Sequence, residues 1–275
     1  MTHRHFEDID PLEEKIRNAR SKEEEDRTVE EELLRHLDPL IEDHLVESVL
    51  RPVKAGKEAV VYCCRAHASL GGGLLAAKIY RSVERRSFKR DAVYQQGRER
   101  HARPDARTLR ALGKQTKRGR LHKFNAWIAH EFRTMTLLHQ GGADVPQPIE
   151  RVGPVILMEY FGDVDRPAPV LVNVALDLGE AADLYETTLS NVDTLLKNHR
   201  VHADLSAYNM LYDDGRLVII DFPQSVDPRY NDEAFDLLVR DLRNVNAYFE
   251  AFDVKTVDPL EATLRLWRAY VDPMR

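Results

Sequence analysis

Residues Val201–Asp227 read VHADLSAYNMLYDDGRLVIIDFPQSVD. The apolar runs Asn209-Met210-Leu211-Tyr212 and Leu217-Val218-Ile219-Ile220 flank Asp213-Asp214-Gly215. An Asp-Gly pair between two such runs predicts a β-hairpin. Asp204 and Asn209 precede the first strand and Asp221 follows the second, so closing the hairpin brings three oxygen-bearing side chains to one edge. A hard cation such as Mg2+ prefers ligands of this kind.

The rest of the chain is long enough to support such a site. Its 275 residues can bury a large core as one domain or two small lobes. With 43% hydrophobic and 31% charged residues it reads as a globular protein with a well-charged surface. No run approaches the length of a membrane span, and Met1–Asp10 has no apolar signal core, so a cytoplasmic location without a membrane partner is the expectation. Cys63 and Cys64 are neighbours on a strand-like run, where side chains point to opposite faces, which favours packing over a disulfide or metal site. The net charge of −6 hides segregation: Arg81–Lys123 carries fifteen Lys/Arg against four Asp/Glu, while Glu7–Glu47 is acid-rich.

Taken in order, residues 1–29 are polar, with a helix start at Pro11–Lys15, and are expected to be partly disordered. Leu33, Leu34, Leu37, Leu40, Ile41 and Leu45 form one helical face, predicting a docking helix over Glu30–Val49. Residues 1–47 thus read as an acidic extension with that helix. Val49–Val53 and Ala59–Cys63 predict strands around Lys54-Ala55-Gly56-Lys57-Glu58, and Gly71-Gly72-Gly73 turns the chain into a strand at Leu74–Tyr80 that contains Lys78. The segment 81–123 reads as a long basic loop, either a solvated charge run or a nucleic-acid contact. Phe124–Gly141 predicts a helix carrying Glu131, followed by strands at Ile149–Arg151 and Val155–Tyr160. Helices follow at Val174–Lys197, Asp232–Phe249 and Pro259–Tyr270.

The order His-x-Asp-x-x-x-x-Asn at His202–Asn209, then an apolar strand, then Asp221-Phe222, resembles the catalytic loop and metal-binding Asp of protein kinases. That resemblance implies an α+β, two-lobed kinase-like fold: a small antiparallel β-rich N-lobe over 48–161 and a mainly helical C-lobe over 162–275. Gly56, Lys57 and Glu58 would form the phosphate loop, and Lys78 would hold the α- and β-phosphates of ATP with Glu131 as its partner. Met158 would precede the hinge, with Glu159 and Phe161 in the linker that meets adenine. Asn209 and Asp221 would bind Mg2+, and Asp204 would align and deprotonate the acceptor hydroxyl. Ser206 stands where ordinary kinases carry a phosphate-contacting lysine, implying a weaker contact.

Within the kinases, the chain resembles the RIO family of atypical serine/threonine kinases, in the subgroup without an N-terminal winged helix. The resemblance rests on Gly56–Tyr62, Ala77–Arg81, His130–Arg133, Leu157–Gly162, His202–Asn209, Asp221–Ser225 and the Arg240-Asp241-x-x-Asn244 helix. It implies no activation or peptide-binding segment, autophosphorylation, and Asp221 as a carboxylate that itself accepts the γ-phosphate in an ATPase cycle. It also implies a protein substrate, or ribosomal precursor RNA or the small ribosomal subunit as partner of the basic segment 81–123. Lys54-Ala55 departs from the Ser-Thr that usually opens the family's phosphate loop. Three functions stay open at this point: a serine/threonine kinase, an ATP-switched ribosome-assembly factor, and a small-molecule phosphotransferase of the aminoglycoside type.

Overall fold

The computed structural model describes residues 27–81 and 117–272. The polar start, most of the basic segment and the last three residues lie outside these ranges, and with them the expectations of disorder over 1–26 and of a loop over 82–116.

The hairpin that anchors the reading is present. Strands β6 (Met210–Asp213) and β7 (Arg216–Ile219) pair antiparallel with Met210 opposite Ile219 and Asp213 opposite Arg216. Asp214 and Gly215 both have positive φ, 48° and 86°, as the two central residues of a tight type I′ turn require. The pair sits at the head of a helical lobe made of α4 (Leu178–Lys197), α5 (Ala234–Glu250) and α6 (Pro259–Tyr270). Asp177 caps α4 by accepting from Glu180 N, and Asp258 caps α6 by accepting from Glu261 N. The apolar stripes Leu184/Leu195/Leu196, Leu238/Leu242/Val245 and Ala262/Leu266 meet beneath the hairpin in one buried core.

The other lobe is a five-stranded antiparallel sheet in the order β1-β2-β3-β5-β4, formed by Val46–Ala55, Ala59–Ala66, Leu74–Tyr80, Val155–Glu159 and Pro148–Val152 respectively. The long helix α3 (Lys117–Gln140) contributes Trp127, Ile128, Met135 and Leu138 to the core shared with the helical lobe. Cys63 and Cys64 are free and buried in β2.

Several boundaries differ from expectation, among them the start of α4, which is Leu178 rather than Val174. The single docking helix over Glu30–Val49 is instead α1 (27–34), a short 3-10 turn, and α2 (Asp38–Glu42), after which β1 already begins at Val46. Pro39 sits in the first turn of α2, and His44 at φ 56° turns the chain out of the helix, so Leu37 and Leu40 are buried while Ile41 is exposed. The helix carrying Glu131 starts at Lys117, so the end of the basic segment is helical rather than loop. Its charged first turns lack the apolar period that marks the rest, which is why the sequence places the start late.

Candidate active site

Lys78 lies in the middle of β3, opposite Val61 of β2 and Ile156 of β5, so the sheet fixes its backbone from both sides. Its ammonium, in a side chain 12% exposed, donates to Glu131 Oε1 at 2.7 Å and to Asp221 Oδ1 at 2.7 Å. Glu131 is 1% exposed on the inner face of α3. Burial works against the charge on Lys78, but the carboxylates of Asp221 and Glu131 outweigh it and raise the lysine's pKa. The ammonium in turn holds the Asp221 carboxyl below its ordinary range. The result is a charged triad joining sheet, helix and hairpin, elements distant in sequence.

Asp221 occupies the residue after the hairpin with φ at 73°, and Ala203 in the preceding loop has φ at 66°. Both conformations are strained for residues with a Cβ, and both are held by surrounding bonds. Asp241 of α5, 1% exposed, accepts from Ala203 N at 2.7 Å and Leu205 N at 3.0 Å, the amides flanking Asp204. Arg240 donates to Ala203 O, and Asn244 Nδ2 donates to Leu205 O at 3.2 Å. His202, buried against Phe222, places its Nε2 3.1 Å from Ile220 O, and burial lowers its pKa, so the neutral imidazole donates there. Burial pushes the Asp241 carboxyl up to about 7 against the pull of its two amide bonds.

The loop so clamped presents Asp204 to solvent. Asn209 Nδ2 donates to Asp204 O at 2.8 Å and reaches Asp204 Oδ2 at 3.4 Å. This commits the nitrogen of the carboxamide to the loop and leaves its oxygen as a donor atom for a cation. Ile220 N donates to Asn209 O at 2.9 Å, tying the start of the hairpin to its end.

These groups line one end of a cavity of about 550 Å³ between the lobes. A pocket of this size suits a small organic cofactor. Gly56, Lys57, Glu58, Lys78, Glu131, Met158, Glu159, Phe161, Asn209 and Asp221 all border it. Asp204 and Ser206 do not; they stand beside it on the clamped loop, Asp204 through its contacts with Asn209. The segment expected to form the phosphate loop is a tight turn: Gly56 N donates to Ala59 O at 2.8 Å, and only Gly56-Lys57-Glu58 separate β1 from β2. Met158 and Glu159 belong to β5, so the linker begins at Tyr160, one residue later than expected. Glu159 N donates to Gln147 O and Phe161 O accepts from Ala168 N, so these backbone groups are engaged within the protein.

The sequence left several lining elements unread. Gly162, at φ 109°, folds the linker back so closely that a Cβ there would lie 2.5 Å from Ala168 N. That turn lays Pro167, Ala168, Pro169 and Val170 along the cavity wall, and Val170 bridges to Leu211 of β6. Arg51 of β1 crosses between lobes, donating to Tyr160 Oη at 2.7 Å and Val164 O at 2.9 Å. Asp241 did carry a signal: a carboxylate placed among Leu237, Leu238, Leu242 and Val245 lies on the apolar stripe of an amphipathic helix, where it must be partnered.

The cavity's donor set admits Mg2+ with a nucleotide. Among the described residues no cluster of three His, Cys, Asp or Glu side chains could hold a metal by itself. Asp221 and the Asn209 oxygen could supply one or two protein ligands, the arrangement in which Mg2+ would complete its shell with water and substrate phosphates.

A family model described as the RIO domain matches residues 60–262, most of the chain. The chain belongs to the RIO family. Among RIO relatives it is 33% identical over 223 residues to the serine/threonine-protein kinase RIO1 of Caenorhabditis elegans, covering 81% of this chain and 40% of that protein. It is 32% identical over 212 residues to the RIO-type serine/threonine-protein kinase Rio1 of Haloferax volcanii, covering 76% of this chain and 66% of that one. The chain therefore spans less than half the length of the nematode RIO protein. The solved Rio2 kinase–ADP/Mg2+–phosphoaspartate complex from Chaetomium thermophilum superposes with a TM-score of 0.56 at 21% identity, covering 88% of this chain and 70% of that one. This likeness establishes the two-lobed kinase-like fold for the RIO chain. No helix among the described residues is long and apolar enough to cross a membrane.

Proposed function

We propose that this RIO chain is an ATP-dependent serine/threonine kinase and ATPase, with Mg2+ as its cation. The observation that carries the reading is the Lys78 ammonium bridging Glu131 and Asp221 at the polar end of an otherwise apolar cavity. The names of the RIO1 relatives and the ADP and Mg2+ in the Rio2 complex support it. We further propose the lobe division at about residue 161, between β5 and the turn at Gly162.

In this reading the apolar wall of Met158, Phe161, Val170, Leu211 and Ile220 takes the adenine. Lys78 binds the α- and β-phosphates and Glu131 orients it. Asn209 and Asp221 hold Mg2+, which when bound neutralises charge on the phosphates. The clamp of Asp241, Arg240 and Asn244 fixes the backbone on both sides of Asp204, so that its carboxylate is positioned to accept the proton of a serine or threonine hydroxyl. Gly56, Lys57 and Glu58 close over the phosphates, and Ser206, outside the cavity lining, replaces a phosphate-contacting lysine with a weaker contact. In the ATPase branch, an Asp221 carboxylate oxygen attacks the γ-phosphorus, the bond to ADP breaks, and water later releases phosphate. The phosphoaspartate named in the Rio2 complex supports that branch. A protein substrate, and ribosomal precursor RNA or the small ribosomal subunit at segment 81–123, remain proposals resting on the family resemblance and the charge of that segment.

Calorimetric titration with ATP, with and without Mg2+, tests the reading. Wild type is expected to bind ATP more tightly with Mg2+, and Asp221→Asn to lose that Mg2+ dependence. ATP binding that is absent, or equally Mg2+-dependent in the variant, contradicts it.

A further inference from the structure

Lys54 stands in β1 where the family's loop usually opens with a hydroxyl residue, and the pairing of β1 turns it toward the cavity. Pro52 pairs with Tyr62, but the register shifts by one residue before Lys54, which pairs with Val61, and Ala55 pairs with Val60. In the unshifted register Lys54 would oppose Val60, which is buried with Tyr62 and Cys64 in the core on the other face of the sheet. An extra residue in one strand re-aims the side chains beside it. Val61 in turn pairs with Lys78 of β3, so Lys54, Val61 and Lys78 form one rung across three strands, and all three border the cavity. The two lysine backbones are two strand spacings, about 10 Å, apart.

A parallel rung nearer the linker consists of Arg51, Cys63, Ala76 and Met158, and Arg51 there donates to Tyr160 Oη. Lys54 therefore lies at the end of the cavity that holds Lys78 and Asp221, away from the apolar end beside the linker. The turn after it is held from β3: Arg81 N donates to Glu58 O at 2.8 Å and Arg81 Nε to Gly56 O at 3.2 Å. Lys54 itself is exposed and makes no hydrogen bond or ion pair among the described residues. Lys78, by contrast, is committed, since its one ammonium faces two carboxylates, Glu131 and Asp221, both at 2.7 Å. A polyphosphate brought against that triad needs further positive charge. Lys78 is the main cause of the low pKa of Asp221, and the charge of Lys54 acts on it in the same direction.

We propose that Lys54 binds the terminal phosphate of a nucleoside triphosphate and sets the preference of the cavity for the triphosphate over the diphosphate. A hydroxyl at this position offers one neutral hydrogen bond, whereas a lysine offers a full charge and three donors on a flexible stem, a point-charge binder of phosphate. Lys78 and Lys54 then divide the work along one rung: the first, fixed between two carboxylates, meets the inner phosphates, and the second, free to move, meets the outer one. The proposal deepens the kinase reading and rests on it.

The experiment titrates the full chain calorimetrically with ATP and, separately, with ADP, both with Mg2+, in wild type, Lys54→Met and Lys54→Arg. Lys54→Met is expected to weaken ATP binding about tenfold or more and ADP binding less than about twofold, while Lys54→Arg keeps most of the ATP affinity. Because Lys54 is exposed, urea midpoints of the three proteins are expected to agree, which separates a lost contact from a lost fold. ATP affinity in Lys54→Met within about twofold of wild type, equal weakening of ATP and ADP, or a loss in Lys54→Arg as large as in Lys54→Met overturns the proposal and leaves the kinase reading standing. Absence of ATP binding by wild type overturns both.

Discussion

Asp241→Asn keeps the size of a fully buried side chain and changes its hydrogen-bond chemistry. Asp241 accepts from two amides, Ala203 N and Leu205 N, at 2.7 and 3.0 Å. The carboxamide has one acceptor oxygen, so its NH2 group must face one of those donors. Leaving a buried amide unsatisfied costs about 1–3 kcal/mol. The penalty falls on the loop that carries Asp204, where a displacement of about 1 Å can lower turnover about 100-fold. There is also a pH signature. Burial raises the Asp241 carboxyl from 3.8 to about 7, so the folded state holds a proton that the unfolded chain releases. This contribution is fully present below about pH 4 and is lost as pH rises through about 7, at most about 4 kcal/mol. Wild type should therefore exceed the variant in stability most clearly at pH 5 and by less at pH 8. Urea unfolding at both pH values, with turnover measured alongside, reads all three effects. Parallel stability at both pH values together with unchanged turnover would refute the clamp.

Four further outcomes follow from the same geometry. Ala203→Gly should unfold at equal or higher urea concentration, because a left-handed conformation costs a non-glycine residue about 1 kcal/mol, whereas Ala203→Val should be clearly destabilised; chemical denaturation of both checks this. Gly162→Ala should lose about 2 kcal/mol or more by the same assay, since its Cβ would press on backbone at Ala168 and Arg166. Lys78→Met should cost about 3–5 kcal/mol near neutral pH by stranding buried Glu131, and the deficit should shrink as pH falls and Glu131 takes a proton, as denaturation at pH 5 and 7.5 would show. Arg51→Ala should change global stability by about 1 kcal/mol or less, yet speed amide exchange over residues 163–166, because its bonds tie that exposed turn to β1.

How much of this was legible depended on whether a signal was local. The Asp214-Gly215 turn and the apolar runs beside it fixed the hairpin, and the spacing to Asn209 and Asp221 placed the polar end of the cavity, with Asp204 on the loop beside it. Leu74–Tyr80 announced β3 by its glycine turn and apolar run, with the same boundaries as observed. The Lys78–Glu131 contact, made across 53 residues, came through the family resemblance and not through periodicity. The turn at Gly162 was unreadable because the constraint there is close backbone approach, which leaves no pattern beyond one glycine. The apolar period over Glu30–Val49 continues through Pro39 and His44, where local geometry ends the helix, so periodicity alone does not mark that break.

The central claim is that the cavity and the loop beside it transfer the γ-phosphate of ATP with Asp204 as the positioned base. The most direct test is label transfer from γ-phosphate-labelled ATP with Mg2+, comparing wild type with Asp204→Ala at matched nucleotide occupancy. The account predicts labelling of protein hydroxyls by wild type and its loss in the variant, with nucleotide binding largely intact. Equal labelling by the two proteins would contradict it.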